Sequence, residues 1–360
     1  MIGTRPEAIK LTPVAQALAE RGLRPTLVFT GQHPDVGPDE FGLRGFPADR
    51  LDCAGEEDPH RHVGTVTTAL LPRLAKSDLL VVQGDTSSAL GAALASFTLG
   101  VAVAHVEAGL RTHDPHLPWP EEEYRTAIDA HADLLFAPTD LAAANLRAEG
   151  VPGEIHVTGN TSIDALLALE ADLPPVTPRR GEFPRLLVTA HRRESWGEGL
   201  HAIATALREL ASEAVVDFVL HPNAHVAATM RALLGGQENI RLIEPCGHRE
   251  LIQRMRTADL ILSDSGGIQE EAPALGIPLL VLREKTERPE GIAHGSASLV
   301  GTSSERIVSE ARRLLHDPAA LARMRRRSFP YGDGKAAERI ANIIEKHLVT
   351  PTGLEPVFSP

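Results

Sequence analysis

Cysteine and positive charge are both scarce in this chain. Of its 360 residues only two are cysteines, Cys53 and Cys246, far apart in sequence. That excludes a disulfide framework and a four-cysteine zinc site, and it suits a reducing cytosol. Lys and Arg number 36 against 48 Asp and Glu, a formal net charge of −12. A nucleic-acid or anionic-membrane binder is therefore not expected, and any anionic ligand must be held by a local basic cluster. No apolar signal region opens the chain, which starts Met1-Ile2-Gly3-Thr4-Arg5-Pro6. No G-x-G-x-x-G follows an apolar run and no G-x-x-x-x-G-K-[ST] occurs, which disfavours a dinucleotide oxidoreductase and a P-loop ATPase. The 16 histidines are scattered. His60-Arg61-His62 lacks the H-E-x-x-H or carboxylate context of a metal site, so neither metal nor cofactor is expected.

What the chain does have is apolar content, 42%, ample for buried cores. Short continuous apolar runs alternate with helical patterns. The first half has Thr26–Thr30, Leu79–Val82, Val101–Val106, Leu134–Ala137 and Ile155–Thr158. The second half has Leu186–Thr189, Val215–Leu220, Ile240–Ile243, Leu260–Leu262 and Leu279–Leu282. Such runs are what parallel strands covered on both faces show, so the fold class is α/β with parallel sheets. Thr86 to Val106 lacks any Asp, Glu, Lys or Arg. Gly100 divides it into a buried helix and a buried strand, which explains it better than a membrane span. The proline-rich stretch Asp172–Pro184 divides the strands five and five. Two Rossmann-like domains facing a cleft are expected, at 1–170 and 185–333, with a final helix at 334–348 and a mobile tail from Thr350.

Ligands of open parallel sheets bind beyond the carboxyl ends of the strands. Unusual polar groups fall there: Gly84-Asp85-Thr86, His105-Val106-Glu107-Ala108-Gly109, His191-Arg192-Arg193-Glu194, His221-Pro222-Asn223 and Ser263-Asp264-Ser265-Gly266-Gly267. One such loop is ordinarily a set of charged caps; five at equivalent ends favour a ligand site. Ser265-Gly266-Gly267 precedes a helical pattern and offers bare backbone amides to an anion. Gly3-Thr4-Arg5 offers a second anion site, with Arg5 and Lys10 as charge partners. A diphosphate fits both. Asp85, Glu107 and Glu121 are candidates for proton transfer.

These segments, with Gly3-Thr4-Arg5-Pro6-Glu7, Leu110-Arg111-Thr112, Pro118-Trp119-Pro120-Glu121-Glu122, Gly159-Asn160-Thr161, Ile268-Gln269-Glu270-Glu271-Ala272-Pro273 and Thr286-Glu287-Arg288-Pro289-Glu290, form words in a recognisable order. From Gly3 to about Asp333 the chain resembles the non-hydrolysing UDP-N-acetylglucosamine 2-epimerases. The resemblance implies a GT-B-like pair of Rossmann domains with the final helix returning to the first, a homodimer, a cytoplasmic location, and UDP-N-acetylglucosamine and UDP as ligands. It implies catalytic roles for Asp85, Glu107, Glu121 and His191. Arg5, Lys10, Arg111, Ser265, Gly266, Gly267, Glu271 and Arg288 would bind the nucleotide and sugar, Glu271 through ribose hydroxyls. Which carboxylate works on which face of the sugar stays open. The chain departs from the family at Tyr124, where relatives have Asn before Arg125, and at Pro34-Asp35 after Gln32-His33. Only Met1 and Ile2 precede Gly3, where relatives have a full apolar strand. The nearest rival reading is a GT-B glycosyltransferase using the same donor.

Overall fold

The structure, a computed structural model, describes residues 1–39, 41–176, 183–190, 192 and 196–349. His191, Arg193 and Glu194, the middle of the proline-rich stretch and the tail from Thr350 lie outside the described residues. Two compact units are present: one holds 1–109, 123–165 and the chain from Gly332, the other 110–122 and 166–331.

All ten expected strands are found, and each pairs in parallel. The first unit has β1 (Leu27–Phe29), β2 (Ala48–Arg50), β3 (Leu79–Gln83), β4 (Ala102–Val106), β5 (Leu134–Ala137) and β6 (Glu154–Val157). The second has β7 (Arg185–Thr189), β8 (Val215–Val219), β9 (Ile240–Ile243), β10 (Leu260–Ser263), β11 (Leu279–Val281) and β12 (Ala297–Leu299). Two strands, β2 and β12, were not expected. Both are three-residue edge strands, and β2 is exposed throughout, so neither shows a continuous apolar run. By contrast every residue of β5 and β10 is buried. Burying each such Leu, Ile or Phe stabilises the fold by about 1.5–3 kcal/mol.

In the second unit the six strands run β12-β11-β10-β7-β8-β9. The order reverses between β10 and β7, so their carboxyl ends flank the switch point where such sheets bind ligands. Thr189 Oγ1 and Ser263 Oγ, 2.6 Å apart, tie those two ends together. In the first unit β1-β2 and β3-β4-β5-β6 form separate ladders. The segment before the first helix lies between them: Ile2 bridges Phe29 of β1, while the Met1 amine donates to Val81 O of β3. The corresponding switch point lies where Gly3-Thr4-Arg5 and Gly84-Asp85-Thr86 leave the sheet.

Helix Arg5–Glu20 starts from a capping box: Thr4 is the N-cap and Glu7 closes back on it. Glu7 also accepts from Gly3 N, Thr4 N and Thr86 Oγ1, which binds both loops at the switch point to one carboxylate. Burial pushes the Glu7 carboxyl up, against the pull of those donors. Helix Ser87–Leu99, capped by Thr86 and ended by left-handed Gly100, then leads into β4. The uncharged stretch is therefore helix and strand, and among the described residues no helix is long and apolar enough to cross a membrane. Helix Ala336–Val349 packs on Arg5–Glu20, and Ile340, Ala341 and Ile344 join the core of the first unit.

Candidate active site

In the first unit the ends of β3 and β4 place Asp85 and Glu107 on neighbouring loops. Glu107 is buried with a φ of 72°, in the left-handed region that non-glycine residues rarely enter. Its N–H and that of Ala108 both donate to Phe136 O at 3.1 Å, which holds the turn. Strain kept in place by surrounding hydrogen bonds is characteristic of functional positions. Glu107 Oε2 accepts from Gln83 Nε2 at 2.9 Å and from the buried Lys10 ammonium. Asp85 is a quarter exposed and accepts from the Arg125 guanidinium. Each carboxylate thus faces a buried cation.

Lys10, expected at the phosphates, therefore faces a carboxylate. Arg5 pairs with Asp35 at 2.7 Å. Both cations of the first anion site are already engaged within their own unit.

The second unit carries the stronger candidate for holding an anion. Helix Gly266–Leu275 has Ser265 as N-cap, and the Ser265 side chain does not close the end. The first-turn amides of Gly266 and Gly267 therefore face outward with the positive end of the helix dipole. Arg288 lies against this turn: a Cβ on Gly266 would sit 2.9 Å from its Nη1, so only glycine lets the guanidinium approach. Nε of Arg288 donates to Glu270 Oε1 at 2.6 Å, and Nη1 reaches Glu287, whose other oxygen holds the fully buried Arg283 at 2.9 Å. The Arg288 backbone is fixed as well, its N–H on Thr286 Oγ1 and its carbonyl on the Tyr331 hydroxyl at 2.8 Å.

Three further expected residues belong to this unit. Glu271 is buried and meets His248 Nε2 at 2.6 Å. Burial opposes the charge on His248, but the carboxylate beside it outweighs that and raises the imidazole above its ordinary value. Arg111 is buried, with Nη1 on Leu110 O. Glu121, the first residue of helix Glu121–Asp129, faces Arg192 at 3.3 Å, and the Arg192 N–H is held by Asp264 Oδ2 at 2.8 Å.

Gln83, Glu270, Glu287, His248 and Tyr331 are not singled out as site residues by the sequence; Gln83, Glu270, His248 and Tyr331 meet partners that only the fold brings to them. Arg125 had a readable signal in the helix that starts at Glu121, but its partner Asp85 is 40 positions away. His191 lies outside the described residues.

The family model described as UDP-N-acetylglucosamine 2-epimerase matches residues 16–345. The UDP-N-acetylglucosamine 2-epimerase of Salmonella typhimurium is 40% identical over 373 aligned positions, covering 97% of this chain and 98% of its own. A crystal structure of a putative UDP-N-acetylglucosamine 2-epimerase from Listeria monocytogenes superposes with a TM-score of 0.89 at 38% identity, covering 97% of this chain and 95% of that one. The Neisseria meningitidis enzyme, solved bound to UDP-GlcNAc, gives 0.88 at 35% identity over 96% of this chain and 98% of its own. Matched over nearly its whole length in sequence and fold, the chain belongs to the UDP-N-acetylglucosamine 2-epimerase family.

Proposed function

We propose that this chain inverts C2 of UDP-N-acetylglucosamine to give UDP-N-acetylmannosamine, with no added cofactor. C2 of the sugar is not next to a carbonyl, so its proton cannot leave simply as an enolate forms. Elimination solves this. A carboxylate takes the C2 proton, the C2–H electrons form a C1=C2 bond, and the C1–O pair departs on UDP, leaving a 2-acetamidoglucal. UDP oxygen then adds back to C1 while a carboxylic acid delivers a proton to the opposite face of C2.

Two groups of residues supply what that route needs. The Gly266 and Gly267 amides and Arg288 hold the diphosphate and stabilise the charge that develops on it as it leaves. Arg5 and Arg111 assist at the nucleotide sugar, and Glu271 takes the ribose. Asp85, Glu107 and Glu121 work at the sugar, with Arg125 and Lys10 holding the first two in place, and His191 serves the diphosphate or the sugar. The observation that carries this reading is the pairing of Asp85 and Glu107 with Arg125 and Lys10 at adjacent strand ends. With it go a homodimer and a cytoplasmic location, the latter in keeping with the two free cysteines.

Proton NMR of the purified protein with UDP-N-acetylglucosamine in D2O tests it. Deuterium at C2 and resonances of the manno epimer are expected from the donor alone. No exchange at C2, with transfer to an added acceptor sugar, would instead make the protein a glycosyltransferase.

A further inference from the structure

Resting on the proposed C2 chemistry, we infer that the buried pair His105–Asp129 is the positioning device that sets the two carboxylate loops, Gly84-Asp85 and Glu107-Ala108-Gly109, in their working geometry. Both side chains are completely buried. His105 is the fourth residue of β4, and Asp129 is the last residue of helix Glu121–Asp129. Neither takes part in the proton transfers proposed above.

The geometry shows what the pair holds. His105 Nε2 is 2.8 Å from Gly84 O, and its Nδ1 is 2.6 Å from Asp129 Oδ1. The other carboxylate oxygen, Oδ2, accepts from Gly109 N–H at 3.0 Å. Gly84 directly precedes Asp85, and Gly109 closes the turn that begins at Glu107. Both glycines have positive φ, 68° and 83°, so each is a point where the chain direction changes sharply. Their remaining backbone groups are held too: Gly84 N–H by Val106 O, and Gly109 O by Asn145 Nδ2. One imidazole and one carboxylate therefore fix the turns beside both catalytic candidates.

Hydrogen-bond accounting also sets where the protons lie. A carbonyl oxygen only accepts, so Nε2 carries the hydrogen that points to Gly84. The contact between Nδ1 and Oδ1 then needs one more proton between ring and carboxylate. The same helix supplies a second link from one turn earlier, since Arg125 holds Asp85 itself. Asp129 and Arg125, spaced i and i+4, share one helix face and serve the two loops together.

This arrangement makes unequal demands on two variants. In Asp129→Asn the amide can donate to a bare Nδ1 and its oxygen can accept from Gly109, so these two bonds survive without the charge. In Asp129→Ala both Nδ1 and Gly109 N–H lose their partner and the turns are released. The test measures C2 deuterium incorporation, kcat and KM for UDP-N-acetylglucosamine, UDP affinity by calorimetry, and melting temperature, for the wild type and both variants. Expected are turnover within about tenfold of wild type for Asp129→Asn and a loss of about 10²-fold for Asp129→Ala, the size of effect that a misplacement near 1 Å produces. C2 exchange should fall with kcat, and UDP affinity should stay within a few fold. If Asp129→Ala does not fold, His105→Gln takes its place, since an amide can reach Gly84 O but cannot bridge to Asp129 as well. Turnover near wild type in the released variant overturns the inference. So does a parallel loss of UDP affinity and turnover, which would mark a purely structural role. A wild type without C2 exchange removes the proposed function itself, and this inference with it.

Discussion

Lys10 and Glu107, 97 positions apart, form a buried ion pair in which the ammonium reaches Oε2 of the carboxylate that Gln83 also holds. We propose that Lys10 serves this carboxylate in preference to a phosphate. Lys10→Met should therefore lower kcat by about 10²-fold or more while UDP affinity changes only a few fold. It should also cost about 3–5 kcal/mol of stability, because a buried carboxylate loses its cation. Adding Glu107→Gln should restore much of that stability and none of the turnover. Calorimetric titration with UDP beside denaturant unfolding checks both. A tenfold or greater loss of UDP affinity in Lys10→Met would return the lysine to the phosphates.

Neutral isosteres separate chemistry from grip. Asp85→Asn, Glu107→Gln and Glu121→Gln keep side-chain size but remove charge and proton-accepting capacity. Each should reduce kcat by about 10²–10⁴-fold and leave UDP affinity within a few fold. Initial rates and UDP titration of the same preparations decide it. Near-normal turnover in all three would make these residues loop caps.

Arg288 should show the opposite pattern. Arg288→Ala removes the guanidinium beside Gly266 and leaves Glu270 and Glu287 buried with one cation fewer. UDP affinity should fall at least tenfold and the melting temperature should drop as well. Gly266→Ala tests the same contact from the other side, since its Cβ would push the guanidinium away while removing no charge. It should weaken UDP binding with a smaller thermal penalty.

The His248–Glu271 pair makes stability depend on pH with a definite sign. The imidazole is raised above its ordinary 6.5 in the folded protein, burial opposing and Glu271 prevailing. A raised value means that the folded state holds the proton more tightly than the unfolded state. The stabilisation is then complete below pH 6.5 and is lost as pH rises through the folded value. The melting-temperature difference between wild type and His248→Gln should shrink across that window. A difference that stays flat or widens with pH would refute the coupling.

How much of this could be read without coordinates differs from element to element. Continuous apolar runs announced ten of the strands, because a strand covered on both faces has no polar side to interrupt it. β2 and β12 escaped because edge strands of three residues need not be apolar. Ser265-Gly266-Gly267 was legible as an uncapped helix start, and so as a candidate anion site, because that feature is local: bare amides at a helix start need only the adjacent residues. The capping role of Glu7 lies within one helical turn, and its position in the first turn was likewise readable.

The partners were not legible. Nothing along the chain shows that Glu107 stands beside Lys10, or that Asp35 takes the Arg5 guanidinium. His105 reads as part of a motif, and only the packing of helix Glu121–Asp129 shows that Asp129 fills its other side. The sequence by itself determined the strands, the helix caps, the glycine turns and the kinds of chemistry available, since these depend on neighbours along the chain. Which charge faces which was decided by tertiary structure alone. A buried ion pair takes its partner from whatever the topology brings within about 3 Å, and sequence distance carries no information about that.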